Sequence, residues 1–311
     1  MSRYLVRRIS FGIMAIFGAT LIVFALSRLG GDPRTFYVGQ SGYGVTDEQW
    51  ERLGKKMGLD QPVPVQYARW MGDLLTGEFG ISITTQAPVE KVIVRRLGAT
   101  AQLAVAAWLF GTVVGIPLGV LSATNRGGLI DYAARGFALL GQSVPVFATG
   151  LVLIVIFSVH LGWLPSGTRG DGFPIKHLIL PAITLGWLPA ATYLRLTRSS
   201  MLEVLDQEYI KLARAKGLHA RVVLWKHAFR NAIIVPLTFS ALLFIGFITG
   251  TVVAETVFSW PGVGRLAANA VFQNDFPLLS VIVLFTAIIY ILIVLALDLL
   301  YAILDPRIRL N

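Results

Sequence analysis

The chain has 311 residues, of which 55% are hydrophobic and only 14% charged, with a mean hydropathy of +0.69; no soluble core needs that much apolar surface, which excludes an ordinary globular domain and indicates a polytopic membrane protein. There is no cysteine, so disulfides and thiolate metal sites are excluded. The formal charge of +10 raises nucleic acid as a partner, a reading that the placement of the cations removes below.

Arg3, Arg7 and Arg8 precede an uncharged run from Ile9 to Ser27, close to the ~20 residues that cross a bilayer and longer than a signal-peptide core. A retained first span with its amino terminus inside is predicted. Residues 30–98 are polar and too long for a simple connection, which predicts small helical pieces. Thr46-Asp-Glu-Gln49 reads as a capping box and Gly58 as the stop of one helix. Pro62 and Pro64 open a second that runs through Tyr67, Trp70 and Leu74 to Thr76-Gly77. Val89–Leu97 is a short amphipathic run leading into the membrane.

Five more spans are predicted, near Ala99–Thr124, Phe137–Leu161, Leu178–Leu196, Ala232–Ala254 and Leu278–Leu297. Pro181 and Pro189 predict a kinked or tilted fourth span. Six spans put both termini and residues 200–236 on one side. With that side as cytoplasm, about 15 Lys/Arg face about 6 Asp/Glu inside, against about 12 and 11 outside. The basic excess is therefore a signal of orientation, and the nucleic-acid reading loses its support.

Small residues four apart, at Gly111, Gly115 and Gly119 and at Gly246 and Gly250, predict close helix packing inside the bundle, with contact to a partner subunit as the alternative. Gln142, Ser143, Pro145 and Thr149 place polar groups and a freed carbonyl in the third span, where they either pack or line a path. The four histidines lack metal-ligand spacing. Arg195 and Arg198, near a span end, can snorkel to the cytoplasm and are assigned no site. No G-x-x-x-x-G-K-[ST] occurs, so the chain has no P-loop for ATP. An intramembrane enzyme would need paired Asp, His-Glu spacing or G-x-S-x-G, and none is present.

The one long soluble-looking run between apolar segments is Ser200–Pro236. Ser200 and Glu203 form an S-x-x-E capping box, Glu203, Asp206 and Glu208 sit in the first turns, Lys211, Arg214 and Lys216 in the last, and Gly217 supplies a left-handed stop. Leu202, Leu205, Tyr209, Leu212 and Ala213 make an apolar stripe on a segment too charged to cross a bilayer. An interfacial helix, a connector and a docking element all fit that pattern. In the segment ETVFSWPGVG, from Glu255 to Gly264, an acid meets a Trp-Pro-Gly turn where the fifth span ends, and an interfacial loop anchored by Trp260 is the plain reading.

The run EYIKLARAKGL (208–218), with HAFRNA (227–232) and Pro236, resembles the cytoplasmic EAA loop of ABC importer permeases, nearest the dipeptide/oligopeptide branch. GLDQP (58–62), QYARW (66–70), GEFG (77–80), ETVFSWPGVG and the closing run from Asp298 to Arg307 are similar to the same branch, so the resemblance runs nearly end to end. It implies an all-α polytopic protein with the type I ABC importer permease fold: six transmembrane helices, the first at 1–29, an external helical insertion at 30–98, and a core at 99–311 carrying the coupling loop 200–236. The expected function is ATP-driven import of di- or oligopeptides by alternating access across the cytoplasmic (inner) membrane, with both termini cytoplasmic. Nickel, glutathione or another small solute is the alternative cargo and a secondary transporter the alternative class. The resemblance also implies a second homologous permease, two ATPase subunits that bind ATP and Mg, and an external substrate-binding protein; no cofactor is expected on this chain. It assigns Leu205, Tyr209, Ala213, Arg214, Ala215, Lys216, Gly217 and Leu218 to ATPase coupling. Gln142, Ser143, Pro145 and Thr149 are expected to line the path, and Glu255, Trp260, Pro261 and Gly262 to form its mouth or gate.

Overall fold

The long apolar runs fold as helices, because a backbone that must satisfy its own polar groups in lipid has few other choices. The computed structural model describes residues 2–29, 32, 34, 46–56, 58–170 and 175–304. In chain order the helices are α1 (Ser2–Leu29), α2 (Asp47–Lys56), α3 (Val63–Thr76), α4 (Val89–Thr124), α5 (Leu129–Ser143) and α6 (Val146–Leu153), the last continuing as a π-helix over Ile154–His160. After them come α7 (Ile175–Leu205), α8 (Glu208–Ala215), the helical segment α9 over 220–232 with a π-helical middle, α10 (Ile234–Val257), α11 (Val263–Phe272) and α12 (Phe276–Leu304). Arg7–Arg28, Val89–Thr124, Ile175–Leu205 and Phe276–Ala296 are long and apolar enough to cross a membrane, and the bent pair α5–α6 would make a fifth crossing. The expected span at 232–254 folds as the 24-residue α10. The closing Asp305-Pro-Arg307 lies outside the described residues.

Two compact units form. One joins residues 1–97 to 266–311 and the other comprises Gly98–Arg265. In the first unit α1 packs along α12; a side chain at Gly12 would stand 2.9 Å from Ile291. Helices α2 and α3 form where their caps and prolines place them, and Gly58 (φ +65°) and Gly77 (φ +85°) terminate them in the left-handed conformation. Helix α3 lies on α1 through Tyr67 and Trp70 against Phe24, with the Tyr67 hydroxyl 3.0 Å from the Thr20 hydroxyl. Asp275 caps α12 by accepting from the Leu278 amide, and also accepts from the Ser82 hydroxyl and the Thr84 amide. Val89–Leu97 is not a separate element: it is the first part of the 36-residue α4.

In the second unit the glycine stripe of α4 meets α7. A Cβ at Gly115 would stand 2.4 Å from the Ala190 carbonyl oxygen, and one at Gly119 2.6 Å from Thr197 Cβ. The two backbones therefore approach as the small-residue spacing predicts. Pro181 and Pro189 are buried in α7, which runs unbroken over 31 residues. The expected third span is not one helix. Val144 is extended (φ −91°, ψ 126°) before Pro145, which opens α6 as its N-cap, and α5 and α6 meet at 112°. Proline disfavours helical geometry in the residue before it and lacks the amide that would continue α5.

Candidate functional site

The segment after α7 differs from its sequence reading in one respect. Ser200 and Glu203 do not cap a new helix, because α7 continues through them to Leu205, and the chain breaks instead at Asp206–Gln207, with Gln207 extended (φ −71°, ψ 148°). The break follows from packing. Met201 and Ile210 both enter one cluster with Val120, Ala123, Val223, Ala228 and Ala232; nine positions apart on a 3.6-residue helix, they would face nearly opposite directions. Two helices joined by a turn let both point inward.

The same turn divides the expected stripe. Ala213 is 7% exposed and Ile210 fully buried in that cluster, while Tyr209 (42%) and Leu212 (56%) face outward. Ala213 therefore packs against its own chain. Leu205 is half-buried against the same cluster, and Arg214, Ala215, Lys216, Gly217 and Leu218 are exposed. Gly217 adopts φ +72°. Its amide donates to the Arg214 carbonyl and the Leu218 amide to the Ala213 carbonyl, the double closure that ends a helix with a left-handed residue. Lys211 lies on the exposed face with Glu208 Oε1 at 2.8 Å, a bond that raises the lysine above its ordinary pKa. The Asn231 amide donates to the Tyr209 hydroxyl at 3.0 Å, tying α8 to α9.

An ion pair that the sequence reading missed supports this segment from behind. Asp131, at the start of α5, is buried. It accepts from the Ser122 hydroxyl of α4 at 2.5 Å, from the Gly127 amide at 3.0 Å, and from Arg198 of α7 through Nε at 2.8 Å and Nη2 at 3.0 Å. Arg198 is therefore held in a fork and does not snorkel, whereas Arg195 is exposed. The missing signal was Asp131, an acid on the opposite helix that no local spacing links to Arg198.

The 255–264 segment is a clasp built inward. Glu255 is wholly buried; its Oε1 accepts from Thr100 Oγ1 at 2.7 Å and its Oε2 from the Arg265 amide at 2.8 Å. Thr100 Oγ1 accepts in turn from the Val263 amide. Trp260 is also buried and donates to the Ala99 carbonyl at 2.8 Å, so it is a core side chain and not the interfacial anchor of the plain reading. Gly262 lies against the carboxyl of Glu255, where a Cβ would come within 2.2 Å of Cδ. Pro261 is half-buried between them. Glu255 and Trp260 hold the turn's shape; their polar atoms point into the protein. In the bent pair, Gln142, Ser143 and Pro145 are exposed at the break, and Thr149 is buried with its hydroxyl 3.4 Å from the Pro145 carbonyl. Gln142 lines a groove between α5 and α7 whose lining does not include Ser143, Pro145 or Thr149. Among the described residues no three His, Cys, Asp or Glu gather to hold a metal ion.

Residues 115–310 match the family described as binding-protein-dependent transport system inner membrane component, and residues 1–104 match that family's amino-terminal model. The chain belongs to this family. The Bacillus subtilis oligopeptide transport system permease protein AppB is 38% identical over 318 residues, covering 99% of this chain and 100% of that one. The Escherichia coli K12 dipeptide transport system permease protein DppB is 39% identical over 338 residues, covering 99% of each. Among solved structures, the MetNI methionine ABC transporter in inward-facing conformations matches at a TM-score of 0.57 and 18% identity, over 70% of this chain and 98% of that chain. An amino acid ABC transporter with histidines matches at 0.53 and 16%, over 70% and 95%. Those two likenesses establish the fold: this permease has the type I ABC importer architecture expected from the sequence. As a binding-protein-dependent inner membrane component it is a membrane transport subunit and not an enzyme.

Proposed function

We propose that this permease moves di- or oligopeptides inward across the cytoplasmic membrane by alternating access, as one half of a permease pair driven by two ATPase subunits and fed by an external substrate-binding protein. The observation that carries the reading is the identity of 38–39% over almost the whole chain to permeases named for oligopeptide and dipeptide transport. In it ATP and Mg are bound by the ATPase subunits. All six spans cross, both termini are cytoplasmic, and α8 docks on an ATPase through Tyr209, Leu212, Arg214, Ala215, Lys216 and Leu218. Leu205, Ala213 and Gly217 set the angle of α8 instead of touching the partner. At the external end, Glu255, Trp260, Pro261 and Gly262 act as a rigid brace of the mouth, and Gln142, Ser143 and Pro145 face the path.

Uptake of a labelled dipeptide by cells lacking the gene, restored by the chain with its partners, tests the cargo. Competition by unlabelled peptides, and none by nickel or glutathione, is expected; the reverse pattern would assign another solute. Single cysteines at 226 and 61, introduced into a chain that has none, test orientation. An impermeant thiol reagent added outside should label position 61 alone.

A further inference from the structure

Helices α5 and α7 enclose an open groove of about 690 Å3. One face of α5 supplies Tyr132, Arg135 and Gln142, and α7 supplies Arg195, Arg198 and Ser199. The three guanidinium groups are not equivalent. Arg198 is neutralised by Asp131, whose two oxygens are both occupied. Arg135 stands over the Tyr132 ring at 5.8 Å, and among the described residues neither Arg135 nor Arg195 forms an ion pair. Among the described residues no acidic side chain lines the groove. It therefore holds two uncompensated cations beside an amide and two hydroxyls.

Arg135 and Arg195 are exposed, on the cytoplasmic side in the proposed orientation, and carry no counter-charge of their own, whereas the half-buried Arg198 is matched by Asp131. The planar forks of Arg135 and Arg195 match a carboxylate. Gln142 adds both an N–H donor and a C=O acceptor, the pair that a peptide unit satisfies. Seven positions separate Arg135 from Gln142, or about 10 Å of helix, the length of roughly three extended residues. We infer that this groove is an oxyanion-recognition site that takes the carboxyl terminus of a short peptide in transit. The inference rests on the peptide-permease reading. An anionic phospholipid headgroup offers the same oxygen chemistry, and the spacing of Arg135 to Gln142 favours the peptide.

Leu139 also lines the groove and is exposed, so Leu139→Cys reports its field in a chain with no other cysteine. In the assembled complex in nanodiscs, an anionic methanethiosulfonate should label Cys at this position at least about tenfold faster than a cationic one of equal size. Arg135→Gln with Arg195→Gln should abolish the preference, and the paired lysine variant, equally competent to assemble, should keep it. A transported dipeptide with a free carboxylate should slow labelling, and its carboxamide should not. Lack of an anion preference, equal protection by the carboxamide, or protection that follows the anionic phospholipid content of the nanodisc instead of the peptide would overturn the inference. If the same complex, reconstituted in proteoliposomes, still imports the dipeptide, such a result rejects the groove and leaves the permease reading intact; absence of import overturns both.

Discussion

Asp131 and Arg198 face each other across the gap between α5 and α7 in a two-bonded fork, with Ser122 of α4 donating to the same carboxylate. Three helices thus meet at one buried acid, two turns before α7 gives way to α8. A fork of this kind fixes direction as well as distance, which a point charge does not. Asp131→Asn leaves the guanidinium with a neutral partner, and Arg198→Lys keeps the charge but loses the fork. Both should lower the thermal stability of the purified complex, Asn more than Lys. Peptide uptake should fall further than the amount of assembled complex does, because the base of α8 is no longer fixed. Unchanged melting temperature and uptake in Asp131→Asn would show the fork to be dispensable.

The α4–α7 contact gives a second test. Gly115 has no room for a Cβ, since the Ala190 carbonyl stands 2.4 Å from its ideal position. Gly115→Leu should force the helices apart at a cost of about 1–3 kcal/mol or more. A drop in the melting temperature of the solubilised protein is expected, with smaller loss for Gly136→Ala, where nothing lies within 4 Å. Equal stability of the two variants would contradict the packing.

Much of this architecture is legible in the residues. The apolar helical runs, the Gly111–Gly119 stripe and the stops at Gly58, Gly77 and Gly217 follow from local rules of hydropathy, backbone freedom and spacing. What is not legible depends on the partner across the fold. Asp206-Gln207 carries no breaker as strong as glycine or proline; the helix ends there because Met201 and Ile210 must share one cluster. Pro145 reads as a residue that frees a carbonyl within one span, yet it begins a new helix at 112° because Val144 turns extended before it. Glu255 and Trp260 read as boundary residues, and only Thr100 and the Ala99 carbonyl, far back in sequence, draw them inward. Asp131 is invisible without Arg198.

The clasp at 255–265 should be sensitive to small changes. Trp260→Phe retains most of the ring but removes the indole N–H that bonds the buried Ala99 carbonyl, a loss of about 0.5–1.5 kcal/mol. Gly262→Ala drives a methyl into the Glu255 carboxyl and should be worse than its size suggests. Thermal unfolding in detergent measures both. If Gly262→Ala matched the parent protein, Glu255 would have room that the geometry denies it.

At the end of α8, Gly217 holds φ +72°. A side chain there costs about 1–2 kcal/mol in a left-handed backbone, more when β-branched. Gly217→Val should still insert and assemble but couple ATP hydrolysis poorly to uptake, and Lys211→Ala, which removes an exposed ion pair, should behave as the parent. Ala213→Trp should fail differently, by disrupting the cluster around Ile210 and lowering stability itself. The ratio of peptide imported to ATP hydrolysed separates these outcomes. Normal coupling in Gly217→Val would reduce α8 to a connector.

The central claim is that this chain is a passive membrane path driven by partner ATPases. Proteoliposomes containing the permease pair, the ATPases and loaded binding protein should accumulate labelled dipeptide when ATP is supplied on the cytoplasmic face, and should stop when ATP, the ATPases or the binding protein is omitted. The permease alone should accumulate nothing under a proton or sodium gradient. Gradient-driven accumulation by the chain alone, with no requirement for ATP, would contradict the account and make it a secondary transporter.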